Sequence, residues 1–151
     1  MKKGKGQKKN ELKIKLPSLS VNESIARSSV AAFCAQLDPS TVEIADIKCV
    51  VSEAVTNCIV HGYRDTVGDI YITVELYEDG LVVIEVRDKG VGIEDVDTAR
   101  MPLFTTDAAN ERSGMGFTVM ESFCDKVRVR SKVGKGTTVV MYKRLQGKNR
   151  Q

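Results

Sequence analysis

SEAVTNCIVHGYRDTVGDIYITVELYEDGLVVIEVRDKGVGI, residues 52–93, changes its apolar period in mid-course, and that change decides the fold. Before His61 the apolar residues recur at helical spacing. Ile44, Ile47, Val51, Ala54, Val55 and Cys58 form the buried stripe of a helix predicted over Ser40 to His61, with Gly62 placed to stop it. From Ile70 the period is two: Ile70, Ile72, Val74 and Leu76 share one face. A Glu78-Asp79-Gly80 turn follows, and the apolar run Leu81 to Val86 returns as the second strand of a hairpin.

Working outward, residues 11–16 (ELKIKL) alternate apolar and polar as a strand with one buried face, ended by Pro17 and Ser18. A helix is predicted over Asn22 to Leu37, where Ala26, Ser29, Val30, Phe33, Cys34 and Leu37 recur and Asn22 is a candidate cap. Asp38 and Pro39 break it. Downstream, a short helix near Glu94 to Arg100 precedes a polar segment around Pro102 to Arg112 and a helix from Gly114 to Phe123. Val127, Val129, Ser131 and Val133 then alternate with Arg128, Arg130 and Lys132, and a Gly134-Lys135-Gly136 turn leads into Thr137 to Tyr142. The prediction is an α+β two-layer sandwich, in which three helices cover one face of a mixed, mostly antiparallel sheet.

At 151 residues the chain suits one domain, expected over 10–143 between basic tails at 1–9 and 144–151. The net charge of +3 invites a nucleic-acid reading, but the positive charge sits at the ends. The first ten residues hold five Lys and the last nine hold four basic residues, with no acid in either stretch. Setting these nine aside leaves fourteen bases against twenty acids, so the body is net −6 and repels a phosphate backbone. No direct nucleic-acid partner is expected, and the tails read as disordered, solubilising ends. Lys13 and Lys15 interrupt the only apolar stretch near the start, so no signal peptide or membrane span is expected. Cys34, Cys49, Cys58 and Cys124 form no C-x-x-C pair, and with a single His, His61, a zinc site is not expected. They read as reduced thiols of a cytoplasmic protein.

Three local patterns carry chemistry. Glu53, Asn57 and His61 are spaced by four, so they project from one side of the second helix at the edge of its apolar stripe. Asp88-Lys89-Gly90-Val91-Gly92 delivers a carboxylate to a strand end, with two glycines that permit close approach of backbone to a flat ligand. Ser113-Gly114-Met115-Gly116 opens a helix, whose unpaired N–H groups suit a phosphate. Taken singly, the first pattern is more often a solvated helix face and the second a turn that needs positive φ. In the order helix, strand-end loop, helix start, the three make a specific set. Gly134-Lys135-Gly136-Thr137-Thr138 lacks the spacing of a phosphate-binding P-loop and lies between strands, and no dinucleotide fingerprint or H-R-D/D-F-G set is present.

The segments SEAVTNCIVHG, DKGVGI, ERSGMGF and GKGTT resemble the four boxes of the Bergerat-fold ATPases, the gyrase, Hsp90, histidine-kinase and mismatch-repair relatives. The resemblance spans about residues 10–143. Within that group the short length, the N-E-S-x-A-R opening of the first helix and the P-L-F-T-T segment resemble the anti-sigma serine kinases of endospore-forming bacteria.

This resemblance implies ATP or ADP with Mg²⁺. Asn57 would give the cation a neutral oxygen, and Asp88 would accept from the adenine amino group beside Gly90 and Gly92, with Thr137 supporting the same pocket. Gly114, Met115 and Gly116 would give N–H groups to the phosphates, with Thr105, Thr106 and Ser113 helping a lid to close. Glu53 would orient or deprotonate an attacking hydroxyl, and Arg112 would offset charge developing on the phosphate. His61 could equally cap the last carbonyls of its helix.

The implied partners are a sporulation sigma factor of the sigma-F type, an anti-anti-sigma protein phosphorylated on serine, and a second copy in a homodimer. Glu23 and Arg27 form an i, i+4 pair that is either an ordinary helix-stabilising ion pair or part of the partner surface. Alternatives from the same residues are a stress-type, sigma-B-directed kinase and the catalytic module of a two-component histidine kinase, whose acceptor would have to lie on another chain.

Overall fold

The computed structural model describes residues 6–101 and 116–147. Five strands form one sheet: β1 (Lys8–Pro17), β2 (Asp69–Tyr77), β3 (Leu81–Asp88), β4 (Lys126–Lys132) and β5 (Gly136–Arg144), in the order β1-β2-β3-β5-β4. Every neighbouring pair is antiparallel, which corrects the expectation of a mixed sheet. The expected hairpins account for β2–β3 and β4–β5, and the two remaining joints, β1–β2 and β3–β5, also run antiparallel across the intervening helices.

Among the described residues the α-helices are α1 (Asn22–Cys34), α2 (Thr41–Asn57), α3 (Val96–Arg100) and α4 (Phe117–Phe123). Strand register shows why one face is covered. Ile14, Ile72, Val86, Val139 and Val129 lie in one cross-strand row, and Leu12, Val74, Ile84, Met141 and Val127 in a parallel one. Period-two patterning puts both rows on the same side. There they meet Ala26, Val30 and Cys34 of α1, Ile47, Val51, Ala54 and Val55 of α2, and Phe117 and Met120 of α4 in one core. The opposite face carries a smaller cluster of Tyr77, Leu81, Val83 and Val140 with Tyr142 packed against it. The charged groups of Arg87 and Lys89 stand 4.3 and 5.1 Å from the ring centre of Tyr71.

Several boundaries differ from the sequence expectation for identifiable reasons. Asn22 does not cap α1. Its Nδ2 donates to the Pro17 carbonyl at 2.9 Å and so holds the end of β1, while Val21 occupies the cap position. At α2, Ser40 Oγ accepts from Glu43 N at 3.1 Å and Glu43 Oε1 accepts from Ser40 N at 2.9 Å, a reciprocal capping box. Gly62 does not stop this helix. The chain continues past Asn57 as a wider π-helical turn, Cys58–Tyr63, and leaves it at Arg64 with φ of 55°.

The tails are shorter than expected. Lys8 and Lys9 already belong to β1, and Lys8 Nζ pairs with Glu11 at 2.6 Å. At the other end β5 continues to Arg144, Leu145 is buried in the core, and the N–H groups of Gln146 and Gly147 donate to Glu43 at 2.6 and 3.1 Å. The segment just after 143 is therefore part of the packed domain, because Leu145 brings apolar area and Glu43 supplies acceptors for its backbone.

Candidate functional site

Where α2 gives way to the π turn, it faces the end of β3 and the start of β5, and a cleft opens there. Its space is about 380 Å³, part of it open to solvent. The floor is apolar: Ala54, Val86, Ile93, Phe117 and Val139. Polar groups enter from two sides. Asn57, Cys58 and His61 come from the helix, and Asp88 and Thr137 from paired positions on β3 and β5.

Asp88 is the chemical centre. It is 6% exposed, and its Oδ1 accepts from the Gly90 N–H at 2.8 Å. Burial pushes its pKa above the ordinary carboxylate value, and hydrogen bonding, first from the Gly90 N–H and then from Cys58 and Thr137, works against that rise. Close packing fixes the geometry. A Cβ on Gly62 would sit 2.9 Å from Asp88 Cγ, and one on Gly90 would sit 2.1 Å from the Gly62 carbonyl oxygen. Gly62 is required for this approach rather than for stopping a helix. Val91 N donates to the same Gly62 carbonyl at 2.9 Å.

Two residues that the sequence reading passed over brace this arrangement. The Tyr63 hydroxyl accepts from Lys89 N at 2.8 Å and donates to the Asp69 carbonyl at 2.5 Å, tying the Asp88 loop to the start of β2. Ser131 Oγ accepts from Ile93 N at 2.7 Å and lies 2.7 Å from Thr137 Oγ1, so β4 positions the threonine of the cleft. A signal for Ser131 was available, since it is the polar member of the alternating Val127, Val129, Ser131, Val133 row. Cys58 read only as a buried thiol.

Glu53 lies one helical turn before Asn57 and stands against the start of α4, where a Cβ on Gly116 would fall 2.2 Å from Glu53 Oε1. Gly116 has φ of 68°, a conformation that also favours glycine. Burial raises the Glu53 pKa. Gly92, with φ of 80°, lines the cleft and packs against the Lys132 carbonyl, whereas Gly90 serves by donating to Asp88. Of the sequence-predicted set, Asn57, Asp88, Gly92 and Thr137 line the cleft, Gly90 buttresses it, and Glu53 and Gly116 meet at its edge. Thr105, Thr106, Arg112, Ser113, Gly114 and Met115 lie outside the described residues.

Glu23 and Arg27 stand apart, on α1. Arg27 Nε donates to Glu23 Oε2 at 2.8 Å, and the same oxygen accepts from Ser52 Oγ of α2 at 2.5 Å. The hydrogen bonds from Arg27 and then Ser52 lower the Glu23 pKa. The pair thus ties the two helices together beside Glu53. Among the described residues, no group of three or more His, Cys, Asp or Glu side chains is placed to hold a metal, and no helix is long and apolar enough to cross a membrane.

An apolar slot with a buried acceptor at one end and an amide and a carboxylate at the other suits a flat base followed by polar groups. Residues 16–143 match the histidine kinase-like ATPase domain family. An anti-sigma F factor of Priestia megaterium is 53% identical over 138 residues, covering 91% of this chain and 94% of that protein. An anti-sigma F factor of Geobacillus stearothermophilus is 56% identical over 135 residues, covering 89% and 92%. A solved structure of the RsbU and RsbW domains of a Mycobacterium tuberculosis protein superimposes with a TM-score of 0.64 at 24% identity, over 91% of this chain and 32% of that one. This chain spans about a third of that structure's length, and the likeness is one of fold. The chain therefore belongs to the histidine kinase-like ATPase domain family, and within it to the anti-sigma F factors.

Proposed function

We propose that this chain binds Mg·ATP in the cleft, holds a sporulation sigma factor of the sigma-F type inactive while ATP is bound, and phosphorylates a serine on an anti-anti-sigma protein. It works in the cytoplasm as a homodimer. The observation that carries the nucleotide reading is Asp88, a buried carboxylate held by neutral donors at the end of an apolar slot. An ionised carboxylate accepts but does not donate, which matches the exocyclic amino group of adenine. Thr137, braced by Ser131, supports the same edge of the base.

Asn57 would hold Mg²⁺ through its amide oxygen, and the bound cation would neutralise charge on the phosphates. Asn57 offers a neutral oxygen, which fits a cation that keeps several waters and takes its other ligands from the nucleotide. Glu53 would orient the serine hydroxyl and take its proton as the serine oxygen bonds to the γ-phosphorus and the bond to the β–γ bridging oxygen breaks, releasing ADP. Burial raises the Glu53 pKa, the direction that makes its carboxylate a better proton acceptor. Arg112 would offset charge on the transferring group, and Thr105, Thr106, Ser113, Gly114 and Met115 would close over the phosphates with Gly116. Glu23 and Arg27 would contribute to the partner surface, where their link to Ser52 places them next to the catalytic helix.

Asp88→Asn tests the reading, because it replaces one acceptor oxygen by a donor with little change of shape. The expected result is a loss of ADP affinity of about a hundredfold in a calorimetric titration, with the circular dichroism spectrum unchanged. Full affinity in the folded variant overturns the nucleotide pose. Incubation of the wild-type chain with γ-labelled ATP and the antagonist tests the transfer: phosphoserine is expected, phosphohistidine refutes the serine specificity, and no transfer refutes the kinase assignment.

A further inference from the structure

We infer that Ser52 is a positioning residue for the partner surface: its hydroxyl, arriving from α2, locks the Glu23 carboxylate on α1 and so fixes how Arg27 presents its guanidinium to the protein substrate. The inference rests on the reading of Glu23 and Arg27 as part of that surface. Three hydrogen bonds define the arrangement. Ser52 Oγ donates to Glu23 Oε2 at 2.5 Å, Arg27 Nε donates to the same oxygen at 2.8 Å, and Arg27 Nη2 donates more weakly to Glu23 Oε1 at 3.4 Å. Neighbouring residues on a helix point about 100° apart, so α2 sets Glu53 against Gly116 while Ser52 faces α1.

Glu23 and Arg27 alone would make a loose anchor. An i, i+4 ion pair on an open helix face is weak, because two long side chains lose rotamer freedom to hold one geometry. Here the two side chains keep only 22% and 35% of their exposure, and the third donor comes from a different helix. That donor selects the Glu23 rotamer, since Oε2 must reach across to α2. The planar guanidinium follows it, because Nε and Nη2 bond along the one edge that faces Glu23, which leaves Nη1 on the far side of the fork. An arginine already held in one orientation has less freedom to lose when a partner binds. Immobilising a long side chain on association lowers affinity by about twofold to tenfold, and Ser52 removes that loss in advance.

The test is steady-state transfer from γ-labelled ATP by the full chain to the anti-anti-sigma protein, with ADP affinity measured alongside by calorimetry. Ser52→Ala is expected to raise KM for the protein substrate about threefold to tenfold, with kcat and ADP affinity within about twofold of the wild type. Ser52→Thr keeps a hydroxyl and is expected to hold KM within about twofold of the wild type. Because the serine acts through Arg27, adding Ser52→Ala to Arg27→Ala should raise KM no further. A KM unchanged by Ser52→Ala, a threonine variant as impaired as the alanine one, or the same extra rise in the Arg27→Ala background overturns the role of Ser52. So does a fall in kcat or ADP affinity that matches the change in KM, which looser helix packing would give. Arg27→Ala separates the two readings. An unchanged KM in that variant refutes the partner surface itself, whereas a raised KM there beside a normal KM in Ser52→Ala refutes Ser52 alone.

Discussion

Replacing Gly62 by alanine is the sharpest perturbation of the cleft that leaves its chemical groups intact. The added Cβ would lie 2.9 Å from both Asp88 Cγ and Oδ2 and 3.1 Å from Oδ1. Carbon atoms pack at about 3.5–4.0 Å, so the carboxylate must retreat by roughly half an ångström or more. It has little room, since Oδ1 is held by Gly90 N at 2.8 Å, and a retreat of that size takes the bond beyond about 3.3 Å, where it is weak. Two effects on stability oppose each other. Overpacking costs about 1–3 kcal/mol, while alanine in a helical turn recovers up to about 1 kcal/mol of glycine's conformational cost. The net change in folding is therefore modest, about 0–3 kcal/mol, and nucleotide affinity is the decisive readout. A misplaced acceptor is expected to lower ADP affinity about tenfold to a hundredfold by calorimetry, with a cooperative thermal transition retained. ADP affinity within about twofold of the wild type, in a variant that still melts cooperatively, would refute the claim that contact with Gly62 fixes Asp88.

Glu43 gives a pH prediction. Burial works to raise its pKa, but hydrogen bonds from Ser40, Gln146 and Gly147 outweigh it and the value falls below the ordinary 4.5. A depressed carboxylate stabilises the fold fully above its ordinary pKa and loses that contribution as pH falls through the native value. Glu43→Gln should therefore be less stable than the wild type in urea titrations at pH 7, with the gap closing at acid pH. A gap that stays constant or widens on acidification would show that these hydrogen bonds do not require the charge. Tyr63→Phe deletes both the acceptor for Lys89 N and the donor to Asp69 O, and should cost about 1–3 kcal/mol in the same titration. Loss of less than about 0.5 kcal/mol would remove the brace between the Asp88 loop and β2.

The period change within residues 52–93 was enough to derive α2, the β2–β3 hairpin and the side of the sheet that is covered, because helical and strand periodicities are local properties of a chain with one buried face. Motif order likewise put Asn57 together with the Asp88 loop, the resemblance to the Bergerat-fold ATPases added Thr137, and all three line one cleft. Periodicity does not encode strand direction across a long connection, so the all-antiparallel pairing was not legible. The docked end was hidden for a related reason: Leu145 in a basic stretch reads as a solvated tail until Glu43, about a hundred positions earlier, accepts from the N–H groups of Gln146 and Gly147.

Glycine roles show the same division. The sequence marked Gly62 as a helix stop, a local function, while its place against Asp88 is a meeting of segments 26 positions apart. Tyr63 and Ser131 have ordinary side chains whose work consists of hydrogen bonds to other elements. By itself the sequence determined which residue types are available and the faces on which local geometry presents them. The tertiary structure alone decided which of those groups meet, because hydrogen bonds and close packing act over about 3–4 Å and depend on how distant segments fold together.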